Sequence, residues 1–147
     1  MRVTSYKTAI NRTTLSAPLR ELLKLKLIKG RVLDYGCGHG QDVSHLAHLG
    51  MEVEGFDPHW RTIAPQGLFQ TITCTYVLNV LDVGEREEVL ESIRNLLTTN
   101  GVAYISVRRD LKKDKDTSKG KQRIVTLPLE VIFKKSNGFC VYKLMKK

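Results

Sequence analysis

The sequence predicts an α/β fold: a mostly parallel, twisted sheet closed at its C-terminal end by an antiparallel hairpin. Three observations carry this. Short apolar runs alternate with helically spaced apolar series. The first two runs are separated by enough chain for the strand, helix, strand crossover that parallel strands require. Near the end, two runs are separated only by Lys134-Lys135-Ser136-Asn137-Gly138, a hairpin signal.

Taken in order, residues 1–15 are polar and Thr-rich. Ser16 and Pro18 then start a helix whose apolar face is Leu19, Leu22, Leu23 and Leu27, and Gly30 is its expected end. Arg31 to Tyr35 reads as a short buried strand, followed by the turn Gly36-Cys37-Gly38-His39-Gly40. A helix with Val43, Leu46, Ala47 and Leu49 follows, and Gly50 occupies the left-handed cap position. Glu52 to Asp57 is the second strand, stopped by Pro58, and residues 58–68 are too short for a further helix and strand. Phe69 to Tyr76 is the third strand, with Ile72, Cys74 and Tyr76 expected on one face. Glu85, Glu87 and Glu88 favour the start of a helix carrying Val89, Leu90, Ile93, Leu96 and Leu97. Asn100-Gly101 should end it before the strand Val102 to Val107. Residues 108–123 are Lys-rich, lack apolar periodicity and read as a basic loop; Leu127 to Phe133 and Phe139 to Leu144 form the hairpin.

A length of 147 residues predicts one domain over 1–147. The net charge of +9 is unevenly spread: residues 1–30, a basic N-terminal segment and helix, carry +6, residues 31–107 carry −6, and residues 108–147 carry +9. Basic ends around an acidic middle suit a polyanionic partner, or simply a solvated surface. Cys37, Cys74 and Cys140 are an odd number without a C-x-x-C pair, so neither a disulfide framework nor a zinc knuckle is indicated. His45 and His48 share a helix face but lack further ligands, so no metal is expected. The N-terminus has no apolar targeting segment, and no run approaches the ~18 apolar residues of a membrane span. A cytoplasmic protein is the expectation.

The sharpest motif is Asp34-x-Gly36-x-Gly38-x-Gly40 between a strand and a helix. Glycines there permit a tight turn and let a ligand approach main-chain N–H groups. A dinucleotide fingerprint needs glycine where this chain has Gln41, so that ligand class does not fit. Alternate glycines after an acidic strand end suit a ligand with an amino-acid moiety and no pyrophosphate, with Asp34 orienting an ammonium group. Asp57 lies 23 residues after Asp34 at the end of the neighbouring strand, where a carboxylate accepts hydrogen bonds from ribose hydroxyls. The alternative is that the glycines only make the turn and Asp57 only caps a loop.

Val32-Leu33-Asp34-Tyr35-Gly36-Cys37-Gly38-His39-Gly40, Gly55-Phe56-Asp57-Pro58, Thr75-Tyr76-Val77-Leu78-Asn79-Val80 and the helix to Asn100-Gly101 resemble the class I S-adenosylmethionine-dependent methyltransferases. More narrowly, Thr8-Ala9-Ile10, Arg12, Leu15-Ser16-x-Pro18, Asp42-Val43 and Val77-Leu78-Asn79-Val80 are similar to methyltransferases associated with DNA phosphorothioation and their small bacterial and phage relatives. The resemblance covers about residues 7–109. It implies a minimal Rossmann-like methyltransferase fold and S-adenosyl-L-methionine as cofactor, with S-adenosylhomocysteine as product. Asp34, Gly36 and Gly38 would contact its methionine part and Asp57 its ribose, with Tyr35, Cys37 and Pro58 as further cofactor-binding candidates, while Tyr76, Leu78 and Asn79 would line the methyl-donor face.

Two departures stand out. Residues 58–68 replace segments that usually flank the adenine, leaving His59, Trp60 or Leu68 to cover the ring. Thr73-Cys74-Thr75-Tyr76 stands where base-amine methyltransferases carry an Asn-Pro-Pro-Tyr type tetrapeptide. Methyl transfer from a sulfonium needs alignment more than a dedicated base. Tyr76, Asn79 and Arg109 are the candidate catalytic residues, with His39 and Asp110 nearby. Lys112, Lys113 and Lys115 would attract nucleic acid or another polyanion. Two other readings use the same residues: a cofactor-binding accessory or sensor protein without transferase activity, and a nucleic-acid-binding module on a Rossmann-like scaffold.

Overall fold

The computed structural model describes residues 14–118, 120–136 and 138–146. The Thr8-Ala9-Ile10 and Arg12 stretches, Lys119 and Asn137 lie outside the described residues. In chain order the elements are α1 Ala17–Lys24, β1 Val32–Tyr35, α2 Gln41–His48, β2 Val53–Phe56, β3 Phe69–Thr75, a 3-10 turn Leu78–Val80, α3 Val83–Leu96, β4 Leu97–Arg108, β5 Lys115–Thr117, β6 Gly120–Gln122, β7 Glu130–Lys134 and β8 Phe139–Met145.

Six strands form one sheet in the order β2-β1-β3-β4-β8-β7. β1 pairs in parallel with β2 and β3, and β3 with β4, whereas β8 runs antiparallel to both β4 and β7. This is the mostly parallel sheet with a C-terminal hairpin that the sequence predicts. Strand residues alternate between the two faces. Leu33, Ile72, Ile105 and Val107 pack with Leu90 and Ile93 of α3, while Val32, Tyr104 and Val141 pack with Leu19 and Leu22 of α1 and Leu46 of α2. Cover on both faces is what a parallel sheet needs. Among the described residues no helix is long and apolar enough to cross a membrane.

Several boundaries differ from the sequence expectation. α1 ends well before Gly30: Lys26 adopts φ +58°, the Leu27 N–H bonds back to Leu22 O, and Ile28 then enters the core. Gly30, at φ +64°, turns the chain into β1 instead. Leu49 lies beyond α2 and is 60% exposed, while Gly50 takes the expected left-handed conformation. α3 starts with a capping box between Asp82 and Glu85 and ends at Leu96. Leu97 opens β4 directly, so Asn100-Gly101 is inside a strand. The register slips between Phe69/Leu97 and Thr71/Val102, and a side chain on Gly101 would meet the Phe69 carbonyl at 2.9 Å. The basic loop is not irregular, because β5 and β6 pair as an antiparallel hairpin. Residues 58–68 contain neither helix nor regular strand, as expected, and hold only a bridge between Asp57 and Arg61.

Candidate functional site

The chain leaves β1 for β2 on one side and reaches β3 on the other, so the C-terminal ends of β1 and β3 form a topological switch point, where open α/β sheets bind ligands. The glycine loop follows β1, Asp57 follows β2, Tyr76 follows β3 and Arg108 closes β4. The fold therefore gathers residues spread over most of the sequence at one edge.

Gly36, Gly38 and Gly40 have φ of +81°, +57° and +82°, a region that L side chains rarely adopt. A Cβ on Gly36 would lie 2.4 Å from Val77 Cγ2, and one on Gly40 2.5 Å from Arg61 Nη2. The loop's donors do not behave as the sequence suggested. The Gly36 and Cys37 N–H groups bond to Phe56 O, Gly38 N–H to Asp57 Oδ2 and Gly40 N–H to Cys37 O. The glycines thus secure close approach, while their amides secure the loop itself.

Asp57 is the keystone of that loop. Its Oδ2 accepts from Gly38 N–H at 3.0 Å, and its Oδ1 from His59 and Trp60 N–H at 2.9 and 3.1 Å. It caps the loop that it joins to the end of β2. Asp34 is buried, and Thr73 Oγ1 donates to its Oδ1 at 3.0 Å. Pro58 begins the exposed turn after Asp57.

The remaining predicted site residues divide between the core and the C-terminal edge of the sheet. Tyr35 is a core side chain packed at a tilt against Phe56, with ring centroids 5.2 Å apart, and burial raises its pKa. Leu78 is wholly buried in the α3-side core. Cys37 packs against Gly55. A helix N-terminus favours a thiolate, yet burial, followed by the charges of Asp34 and Asp57, pushes its thiol up to about 12. Tyr76 leaves the strand alternation with φ +62° and packs against the cluster opposite Ile72 and Cys74, because a left-handed residue reverses the side-chain direction. Backbone strain of this kind concentrates at functional sites.

Asn79 is 1% exposed, and both ends of its amide are engaged. Arg108 N–H donates to its Oδ1 at 2.9 Å, and its Nδ2 donates to Arg123 O at 2.8 Å. It ties the end of β4 to the chain leaving β6, a scaffold role. Arg109 is half-buried at the end of β4, and its N–H bonds to Gly138 O.

The β5–β6 hairpin is pinned by ion pairs. Arg108 makes a two-pronged contact with Asp110, through Nε–Oδ1 at 2.6 Å and Nη2–Oδ2 at 2.7 Å, which lowers the Asp110 pKa. Lys121 pairs with Asp82, and Arg123 reaches Asp82 at 3.5 Å and Asp116 at 2.9 Å. Lys112, Lys113 and Lys115 are exposed.

Sequence reasoning missed two contributors. Thr73 had a signal, since Thr71, Thr73 and Thr75 repeat with period two in an otherwise buried strand. Ser106, whose buried hydroxyl has no hydrogen-bond partner among the described residues, had none. The Arg61 guanidinium lies over Gly40.

A family model described as a methyltransferase domain matches residues 8–137. Among solved structures, the chain is 14% identical to the glycopeptide N-methyltransferase MtfA, with 90% of this chain and 97% of that one covered at a TM-score of 0.65. It is 17% identical to the Burkholderia thailandensis 1,6-didemethyltoxoflavin-N1-methyltransferase solved with its substrate and S-adenosylhomocysteine; 86% and 76% of the chains are covered at 0.66. A protein solved in work on conversion of a disulfide bond into a thioacetal group during echinomycin biosynthesis is 23% identical at 0.57, over 63% of this chain; the chain spans 50% of that protein's length. No curated protein matches in sequence.

Proposed function

We propose, from the premise that this chain belongs to the methyltransferase domain family, that it transfers the methyl group of S-adenosylmethionine to an acceptor entering between the glycine loop and the β5–β6 hairpin. The observation that carries this is the Gly38 N–H to Asp57 Oδ2 bond at the switch point, which locks the glycine loop to the acidic end of β2. The residues present fit the cofactor. Gly36 and Gly40 keep the loop surface free of side chains where a Cβ would collide. The loop amides at 36, 37, 38 and 40 are spent internally, which suits a cofactor without phosphates.

Asp34, held by Thr73, orients the ammonium of the amino-acid moiety. Asp57 accepts three amide N–H bonds, and an ionised carboxylate retains capacity for a ribose hydroxyl. When bound, the cofactor supplies a methyl group on a sulfonium, displaced in line, so alignment provides most of the rate. Tyr76 and Arg109 border the acceptor side and position the acceptor. The three free thiols accord with a cytoplasmic location, and the whole of 1–147 acts as one domain.

The acceptor we favour is a polyanion, nucleic acid first, because Lys112, Lys113 and Lys115 are exposed at the rim while Arg108, Lys121 and Arg123 are neutralised by carboxylates. Val77-Leu78-Asn79-Val80 supports a narrower kinship with the phosphorothioation-associated methyltransferases. The deciding experiment is transfer of labelled methyl to fractionated RNA, DNA, protein and metabolites. Label in a nucleic-acid fraction supports the reading. S-adenosylhomocysteine binding without transfer to any fraction replaces it with an accessory or sensor role. Substituting Lys112, Lys113 and Lys115 by Gln is expected to flatten the salt dependence of nucleic-acid binding.

A further inference from the structure

The C-terminal hairpin brings its turn back to the same edge of the sheet as the candidate site. Because β8 runs antiparallel to β4, its first residue, Phe139, lies in register with Arg108 at the end of β4, and Cys140 with Val107. β7 continues the row: Lys134 is in register with Cys140, and the Lys135 N–H donates to Phe139 O at 2.8 Å. Arg109 is tied to the same turn, its N–H donating to Gly138 O at 2.8 Å. Cα partners share a sheet face, so Lys134 lies on the face of Val107 and Cys140, which α3 covers. The β5–β6 hairpin is anchored on that side too, through Asp82 at the start of α3. Lys134 and Lys135 are exposed, and among the described residues neither makes an ion pair. Glu130, the carboxylate of their strand, stands at its other end in register with Lys143. Unpaired like charges gathered at one edge repel each other and add nothing to the fold.

We infer that the β7–β8 turn, with Lys134 and Lys135, and the β5–β6 side, with Lys112, Lys113 and Lys115, are two banks of one phosphate track, and that the acceptor is a nucleic-acid strand and not a mononucleotide; this rests on the nucleic-acid reading above. Neighbouring strands lie about 4.8 Å apart, so the row from β4 across β8 to β7 alone covers about 10 Å. A stacked strand rises about 3.4 Å per nucleotide. The two banks therefore meet phosphates separated by several nucleotides, whereas a lone nucleotide reaches one bank only. Arg109 stands between them at the end of β4. The stretch of strand held there passes beside Tyr76, whose N–H donates to Ser106 O of β4.

The test is binding of labelled RNA and DNA, from a nucleoside monophosphate up to single strands of about 16 nucleotides, by the full chain across a salt series. Affinity is expected to rise with length and to level off once both banks are spanned. Lys134→Gln with Lys135→Gln is expected to reduce the slope of log affinity against log salt by about 1.4 on a single strand, two contacts at about 0.7 each, with unchanged circular dichroism. Lys26→Gln with Lys29→Gln removes the same charge from exposed positions at the opposite edge, where the Lys29 N–H bonds to Thr71 Oγ1. That pair is expected to keep the parent slope. Matching slopes in the two double variants overturn the track, and so does a monophosphate bound as tightly as the longest strand; in either case the acceptor reading stands. Failure of the parent chain to bind any strand overturns the acceptor reading and the track with it.

Discussion

On the β1–β2 side of the cleft, Asp57 accepts three backbone N–H groups, Asp34 is held by Thr73, and glycines admit the chain where side chains would collide. On the β4 side, the hairpin stands on Arg108–Asp110, Lys121–Asp82 and Arg123–Asp116 pairs, whose carboxylates are 46%, 43% and 78% exposed. Both walls face the same edge, but their energetics differ. Buried carboxylate–amide bonds are costly to break, because each orphaned group loses both partner and solvent. Exposed ion pairs are worth little each and fade with salt. The first wall is therefore the costlier to open, and the second the more sensitive to salt.

The largest expected effect lies on the first wall. Gly36→Ala places a methyl group 2.4 Å from Val77 at φ +81°. Left-handed strain and overpacking together predict a loss of roughly 2–5 kcal/mol in denaturant unfolding, with loss of S-adenosylhomocysteine binding. Adding Val77→Ala should recover the steric part and leave the backbone part. Full recovery would show that space alone, and not φ, requires the glycine.

Asn79→Ala joins the two walls in one test, since this amide sits behind the 3-10 turn and anchors the hairpin. Orphaning the Arg108 N–H and the Arg123 carbonyl predicts a loss of roughly 1–3 kcal/mol. Amide exchange should accelerate across 108–124 while 34–61 stays protected. Uniform acceleration would mean that the two walls open together and the contrast fails.

A smaller effect is expected from Asp82→Asn, which keeps the helix cap but removes the charge facing Lys121 and Arg123. The expected loss is about 0.5–1 kcal/mol at low salt, vanishing near molar salt. A salt-independent loss would place the contribution in the cap.

The smallest concerns Asp110, whose carboxyl is held below its ordinary value of 3.8 by hydrogen bonds and charge from Arg108. Because the folded value is depressed, the unfolded chain binds the proton first. The contribution is complete above 3.8 and disappears as pH falls through the folded value. Acid unfolding of Asp110→Asn should therefore diverge from the parent at neutral pH and converge with it in acid. Parallel curves would dismiss the pair as a stabiliser.

Much of the first wall was legible in the sequence, because it is built from short-range rules. The spacing of Asp34, Gly36, Gly38 and Gly40 and the acidic end of the next strand follow from local backbone geometry and strand periodicity. The hairpin wall was legible only as charge. Lys115 to Gln122 have no apolar alternation, so nothing local separates two paired strands from a solvated loop; the pairing depends on Asp82, Asn79 and Arg108, distant in the chain.

By itself the sequence determined the order of the helices and of the six strands of the main sheet, the crossover, the C-terminal hairpin and the residues gathered at the sheet's C-terminal edge, because hydrophobic period and glycine placement act over a few residues. Only the tertiary structure decided what each gathered side chain does. Tyr35 and Leu78 turn into the core, Asn79 spends its amide on two distant backbone groups, and Arg61 and Trp60 fold back onto the glycine loop. The physical reason is that side-chain hydrogen bonding and burial depend on which atoms arrive from other strands, and no spacing along the chain records their arrival.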